Sequence, residues 1–279
     1  MIFTGASSRG YHYYADFMLC EQLGGYRHLM HLRPLREKPE RAIGTVAHLG
    51  IAALYAGEAD PIGVIEAAPR RLLPGLDLGR QIVDAYMSRH AALPAHERPV
   101  VLAVETEFKA LAGGALITFR GDRVEVRGGK AYNIDVKTWG PPPNVNNIRA
   151  EFELDGQIIT QHMISRAAFP ATFGLPYGGT IIEAIPKSFP FEPIQVAMPS
   201  STLDRLVGPH RESLVATAKR IEAVQAEVAA GKNPMTLRRN HTACKTRWGP
   251  CEFRAICLRG EPALDDFQVV IDDATSVEA

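Results

Sequence analysis

The chain has 279 residues, 46% hydrophobic and 22% charged, with a formal net charge of zero. That is globular composition; it excludes a disordered or fibrous chain, and it leaves nucleic acid open as a partner because whole-chain charge averages over local patches. No apolar run approaches the ~20 residues of a membrane span and the N-terminus lacks an apolar signal-peptide stretch, so a cytoplasmic, reducing compartment is expected, where four cysteines serve as ligands or free thiols rather than disulfides.

In chain order, Tyr11 to Leu32 reads as a helix carrying Cys20. The apolar spacing from Ile43 to Tyr55, ended by Gly57, predicts a second helix, and Leu78 to Arg89 a third. Pro99 to Leu111, Ala115 to Val126 and Ala131 to Thr138 read as strands, the last two joined across Gly128-Gly129, a two-residue hairpin signal. Pro141 to Pro143 force an extended loop. Asp155 to Ala168 reads as a helix, and Thr180 to Val196 holds two strand-like runs. Ser201 with Asp204 forms a capping-box pattern for a long helix towards Gly231, with Gly208-Pro209 expected to kink or divide it. From Thr236 to Gly260 the chain carries six Lys and Arg against Glu252 alone, whereas 261–279 contains Asp265, Asp266, Asp272 and Asp273 and reads as a solvated acidic tail. This order predicts an α/β core with helical additions.

The hairpin holds the chemistry. Asp135 and Lys137 are two apart on a strand and share one face, while Ile134 and Val136 face a core. With Gly128 and Gly129 as the loop, Arg127 pairs with Lys130, and the same register sets Asp122 opposite Asp135. Opposed carboxylates destabilise a bare hairpin. A divalent cation removes that penalty, and hard oxygen ligands suit Mg²⁺ or Mn²⁺. Lys137 beside them would hold or deprotonate water, or neutralise charge on a phosphate.

Gly121-Asp122 followed by Asp135-Val136-Lys137-Thr138 resembles the GxxD and DxKT motifs of RecB-like nucleases of the PD-(D/E)XK superfamily. Gly44-Thr45 with His48 resembles the helical histidine motif preceding them there, and Gln157 resembles the QxxxY motif that follows. Gln161 stands where the family has Tyr, on the same helix face as Gln157. The resemblance implies a restriction-endonuclease-like mixed sheet flanked by helices and a core about 43–198. It also implies catalytic roles for His48, Asp122, Asp135, Lys137 and Gln157, and a metal held by His48, Asp122, Asp135 and the carbonyl of Val136. Glu105, on the strand before the hairpin, is a weaker candidate.

Cys244, Cys251 and Cys257 cluster near the C-terminus, and the fourth cysteine, Cys20, lies far upstream. A four-cysteine set suits a [4Fe–4S] cluster or Zn²⁺, though zinc sites usually come as two close pairs. The one-plus-three split resembles the iron–sulfur staple of RecB-like nucleases of CRISPR adaptation and of many phage-encoded relatives. It implies one nuclease domain over 1–260, its ends 11–33 and 236–260 joined by a cluster that removes chain entropy from the unfolded state.

The function expected is thus metal-dependent hydrolysis of DNA, with the basic segment gripping phosphates and Trp248 and Phe253 either stacking on a base or buried against the cluster. Without a phosphate loop or a base-reading unit, an ATP-independent exonuclease on single-stranded or frayed ends is expected. The resemblance places such proteins in recombination, repair or CRISPR adaptation, beside a helicase, annealing protein or integrase. The alternative is a non-catalytic module binding DNA ends or a partner on a degenerate nuclease fold. A redox role for the cluster finds no flavin or nucleotide motif beside it.

Overall fold

A computed structural model describes residues 9–35, 37–140, 142–246 and 249–270. The first helical stretch is broken where the sequence predicts one helix. α1 (Tyr11–Leu19) stops at Cys20, whose extended backbone interrupts the helix before α2 (Glu21–Gly24) and a π turn, Gly25–Leu29. β1 (Leu32–Pro34) follows, then α3 (Pro39–Tyr55), with Pro39 at its first turn, and α4 (Pro61–Glu66), capped by the Asp60 carboxylate. α5 (Leu76–Ala92) leads into β2 (Val100–Ala112), β3 (Ala115–Arg127) and β4 (Lys130–Trp139). α6 (Val145–Phe152) and α7 (Gly156–Phe173) are capped by the side chains of Asn144 and Asp155. After β5 (Tyr177–Pro186) and β6 (Ile194–Ala197) comes α8 (Ser200–Ala229), 30 residues. The short β7 (Lys245–Thr246) and β8 (Gly249–Pro250), α9 (Arg254–Arg259) and β9 (Phe267–Val269) complete the order.

Two expectations are corrected here. α8 runs continuously through Pro209, so Gly208-Pro209 does not divide it, and it already begins at Ser200, so Ser201 with Asp204 is not its capping box. Asp204 accepts instead from the buried His162 Nε2 at 2.8 Å and from Arg166. The acidic segment after Gly260 is not all solvated tail. Glu261–Asp266 forms a 3₁₀ turn, and β9 pairs antiparallel with β1, Leu32 opposite Val269. Asp272 and Asp273 lie outside the described residues.

Two compact units divide the chain. The first, Arg36–Ala110 and Thr118–His210, carries a five-stranded mixed sheet in the order β2-β3-β4-β5-β6. β4 lies antiparallel to β3 and parallel to β5, and β6 returns antiparallel. The turn between β3 and β4 uses Gly128 and Gly129 at φ 54° and 74°, which glycine adopts without strain. It fixes the pairs from Arg127 with Lys130 to Arg123 with Ile134, as the sequence predicts.

Alternation along the strands sorts side chains to two layers. Val136 and Ile185 pack with Ile43, Ala47 and Ile51 of α3 and Ile82 and Tyr86 of α5. Ile182 and Ala184 face the other way, onto Ile148 of α6, Ile158 and Ile159 of α7 and Leu203 of α8. Burying each such side chain contributes about 1.5–3 kcal/mol. The result is a mixed α/β fold with helices on both faces of the sheet, consistent with the restriction-endonuclease-like class. Gly44 lets α3 approach β4 closely, since a Cβ there would stand 3.2 Å from Thr138 Oγ1.

The second unit, Ser8–Leu35, Leu111–Ile117 and Arg211–Ala279, has its own core. Leu23, Tyr26, Leu32, Phe253, Ile256 and Ala263 form it, and Cys20, Cys251 and Cys257 pack against it. Arg27 ties it together through Asp16, at 2.7 Å, and Glu252. No helix of the described residues is long and apolar enough to cross a membrane.

Candidate active site

Three side chains from three elements converge in the first unit: His48 on α3, Glu105 on β2 and Asp122 on β3, with ligand atoms within 4.8 Å of one another. His48 Nδ1 is 3.6 Å from Asp122 Oδ2, and the same oxygen accepts the Val136 amide at 2.7 Å. Among the described residues no other group of three His, Cys, Asp or Glu draws so close. The hollow they wall with Val136 holds about 10 Å³, room for roughly one water-sized occupant. Glu105 sits at φ 47°, a left-handed conformation rare for a non-glycine residue and costing about 1–3 kcal/mol. Such strain inside a strand re-aims the side chain.

The electrostatics of the group suit a cation. Burial, then the neighbouring Asp122, push the Glu105 carboxyl up to about 8 against the pull of Arg120. Burial also raises Asp122, with Asp135 adding to the rise and His48 and Lys137 opposing it. Two crowded carboxylates beside an imidazole, both resisting ionisation, fit a divalent cation.

Asp135 adjoins this group on β4 and is buried, with 1% exposure. Its Oδ1 accepts from Gln157 Nε2 at 3.2 Å and from Gln161 Nε2 at 2.8 Å; Gln161 is in turn held by Asn133 Nδ2 at 2.9 Å. Its Oδ2 has no aligned hydrogen-bond donor but stands 2.6 Å from Lys137 Nζ. Burial favours the neutral Lys137 amine, but Asp135 and Asp122 outweigh it and hold the lysine above its ordinary pKa. The structure thus gathers His48, Glu105, Asp122, Asp135, Val136 and Lys137, with Gln157 behind them. Gln161, noted in the sequence only as sharing the helix face of Gln157, supplies the shorter bond to Asp135. Its one signal was its position four residues after Gln157 on one helix face.

The second unit differs from expectation in part. No three of the four thiols lie within 4.8 Å of one another, so the structure does not present a closed four-thiolate cage. Phe253 is fully buried, stacked on Phe267 at 5.3 Å and 18°, and is not available to a base. Trp248 lies outside the described residues.

The sequence profile described as PD-(D/E)XK nuclease superfamily matches residues 16–258. The chain belongs to the PD-(D/E)XK nuclease superfamily. A solved structure from Eubacterium rectale, described as a "Putative exonuclease", aligns over 91% of this chain and 93% of its own. Its TM-score is 0.54 at 11% identity, a likeness of fold. Another, described as SSO0001, covers 70% of this chain and 84% of its own at 17% identity, with a TM-score of 0.24 that carries no argument. No curated protein matches. Membership in this superfamily supports a nuclease, acting on DNA, with a carboxylate and histidine cluster fit for a metal.

The raised Glu105 carboxyl has a measurable consequence. The unfolded chain ionises it near its ordinary 4.5, whereas the folded chain keeps the proton to about 8. Folding stability without metal therefore falls as pH rises from about 4.5 to about 8, because the native state binds the extra proton. A divalent cation binding the ionised native form offsets that fall. Thermal unfolding at pH 5 and pH 8 with EDTA should show the drop. Mn²⁺ should recover much of it, and Glu105→Gln should flatten it. An equal drop in Glu105→Gln would remove Glu105 from the cause.

Proposed function

We propose that the chain is a Mg²⁺- or Mn²⁺-dependent deoxyribonuclease, an exonuclease acting on single-stranded or frayed DNA ends. The observation that carries the proposal is the convergence of His48, Glu105 and Asp122 beside the Asp135–Lys137 pair. His48, Asp122 and Asp135, with the Val136 carbonyl, would hold the cation, and Glu105 joins the set. When bound, such an ion acidifies water and offsets charge on the phosphodiester oxygens.

The chain's own groups supply the rest. Lys137, kept protonated by two carboxylates, donates to a phosphate oxygen and stabilises the charge that develops there. Of the roles weighed from sequence, this protonation state favours charge neutralisation over deprotonating water. Gln157 and Gln161 fix Asp135 Oδ1 and so aim Oδ2 into the site. The set of Asp122, Asp135 and Lys137 argues against a degenerate module, which has no need of all three. The test is degradation of end-labelled linear single-stranded DNA with Mn²⁺ or Mg²⁺ and no nucleotide, beside circular DNA. Linear strands should shorten from their ends. No cutting of any linear DNA without ATP, or cutting at one duplex sequence only, would sink the proposal. Work in recombination, repair or CRISPR adaptation, beside a helicase, annealing protein or integrase, fits an enzyme without a motor motif.

The second part of the proposal is a [4Fe–4S] cluster on Cys20, Cys244, Cys251 and Cys257. All four lie in the second unit, where Cys20, Cys251 and Cys257 share one apolar core. The Cys251 amide donates to the Cys244 carbonyl at 3.0 Å. Burial raises the Cys251 and Cys257 thiols, and neighbouring thiols add to both shifts. The one-plus-three spacing of the four cysteines fits poorly with the two close pairs usual for zinc. Anaerobically purified protein should contain iron and acid-labile sulfide, and Cys251→Ala should lack both. Stoichiometric zinc without iron would overturn this part.

A further inference from the structure

Asn133 lies on β4 two residues before Asp135, so the two side chains leave the same face of the sheet. It is fully buried, opposite Val124 of β3 on one side and Thr180 of β5 on the other. Its Oδ1 is buried without a hydrogen-bond partner, while its Nδ2 donates to Gln161 Oε1 at 2.9 Å. Burying an amide with one end unpaired costs free energy that an apolar side chain would not incur. Asparagine is thus a poor choice for packing at this position, and what it supplies is the bond to Gln161.

That bond completes a directed relay. A primary amide has a donating and an accepting end, and only the donating end suits a carboxylate. Gln161 gives Nε2 to Asp135 Oδ1 at 2.8 Å. The side chain is 1% exposed, so its Oε1 must find a donor inside the protein, and Asn133 Nδ2 is that donor. Without it, Gln161 would regain a donor only by leaving the orientation in which it serves Asp135. The helix is pinned at the same height. Thr160 Oγ1 lies 2.8 Å from His210 Nε2 and His162 Nε2 lies 2.8 Å from Asp204 Oδ1, so the residues on either side of Gln161 tie α7 to α8. Gly121 on β3 leaves the room that Asn133 occupies: a Cβ there would stand 2.9 Å from Asn133 Oδ1, closer than side chains tolerate.

We infer that Asn133 is a positioning residue for the candidate cation site, acting through Gln161. The relay from Asn133 to Gln161 to Asp135 holds Oδ1 of the carboxylate and keeps Oδ2 turned to the cation beside Lys137. The inference rests on the reading of Asp135 as a cation ligand and adds the residue that orients it. Partners that orient a metal ligand from behind typically change metal affinity by roughly 10–100-fold when removed.

The test is a double-mutant cycle on the full-length protein stripped of metal, read as Mn²⁺ affinity by isothermal titration calorimetry, which needs neither DNA nor turnover. Asn133→Leu removes the donor within a similar shape and should weaken Mn²⁺ binding about tenfold. Gln161→Leu should weaken it by a comparable factor. The double variant should match Gln161→Leu within about twofold, because Asn133 acts through Gln161. Gly121→Ala displaces Asn133 without removing a polar group and should also weaken binding; it carries the test if Asn133→Leu does not fold. Thermal unfolding checks the fold of each variant. A lowered melting temperature with parental Mn²⁺ affinity in Asn133→Leu and Gly121→Ala would make Asn133 a structural residue only and overturn the inference. So would losses that simply add in the double variant. Failure of the nuclease reading shows separately, as no DNA cleavage by a parent that binds Mn²⁺.

Discussion

Asp135→Asn is expected to lower the rate of DNA hydrolysis by about a thousandfold, and Lys137→Ala by a hundredfold or more, in proteins that remain folded. The reason lies in how Asp135 is held. Gln157 and Gln161 both donate to Oδ1, so an amide oxygen replaces that atom with little disturbance. The change falls on Oδ2, which faces Lys137 at 2.6 Å and adjoins Asp122. There an anion becomes a neutral donor, which can neither bind a cation nor balance the lysine. Lys137→Ala removes the ammonium held beside the carboxylates, and with it the charge offered to a phosphate oxygen. Single-turnover cleavage of end-labelled single strands in Mn²⁺ measures both variants, with circular dichroism confirming the fold. Parental cleavage by either folded variant would show the site to be misassigned.

Arg123→Ala should destabilise the protein by about 3–5 kcal/mol, a large share of the ~5–15 kcal/mol typical of a domain. Arg123 is 2% exposed, its guanidinium placed 4.1 Å over the Tyr55 ring and bonded to Glu125 and Glu183. Burial penalises the Glu183 carboxylate, but Arg123, Gln195 and Tyr86 together hold its pKa below the ordinary value. In the parent, Glu183 therefore stabilises at neutral pH, and that contribution is lost as pH falls through its lowered pKa. Without Arg123 the buried carboxylate loses its main counter-charge and its pKa rises, so the variant's deficit should be larger at pH 7 than at pH 5. Urea unfolding at the two pH values measures this. A deficit under 1 kcal/mol at pH 7 would mean that the remaining partners of Glu125 and Glu183 satisfy both acids.

Some of this was legible in the sequence because it depends on near neighbours along the chain. Gly128-Gly129 permits one tight turn, the turn fixes the register of β3 on β4, and strand alternation then sets Asp135 and Lys137 on the face opposite Val136. The apolar spacing from Ile43 to Tyr55 likewise marked α3 as a helix. The tertiary structure decided the rest, because those features join distant segments. Glu105 reaches His48 and Asp122 only through the order of the sheet, the docking of α3 and a left-handed backbone angle that no strand pattern announces. Gln161 bonds Asp135 because α7 crosses the sheet at that height, so a second amide joins Gln157 at that carboxylate. Arg123, indistinguishable in sequence from a solvated strand arginine, is buried because Glu125, Glu183, Tyr86 and Tyr55, brought from four elements, enclose it. Periodicity and turn chemistry act over a few residues, whereas a site of charges is completed by contacts whose partners are set only when sheet and helices have packed.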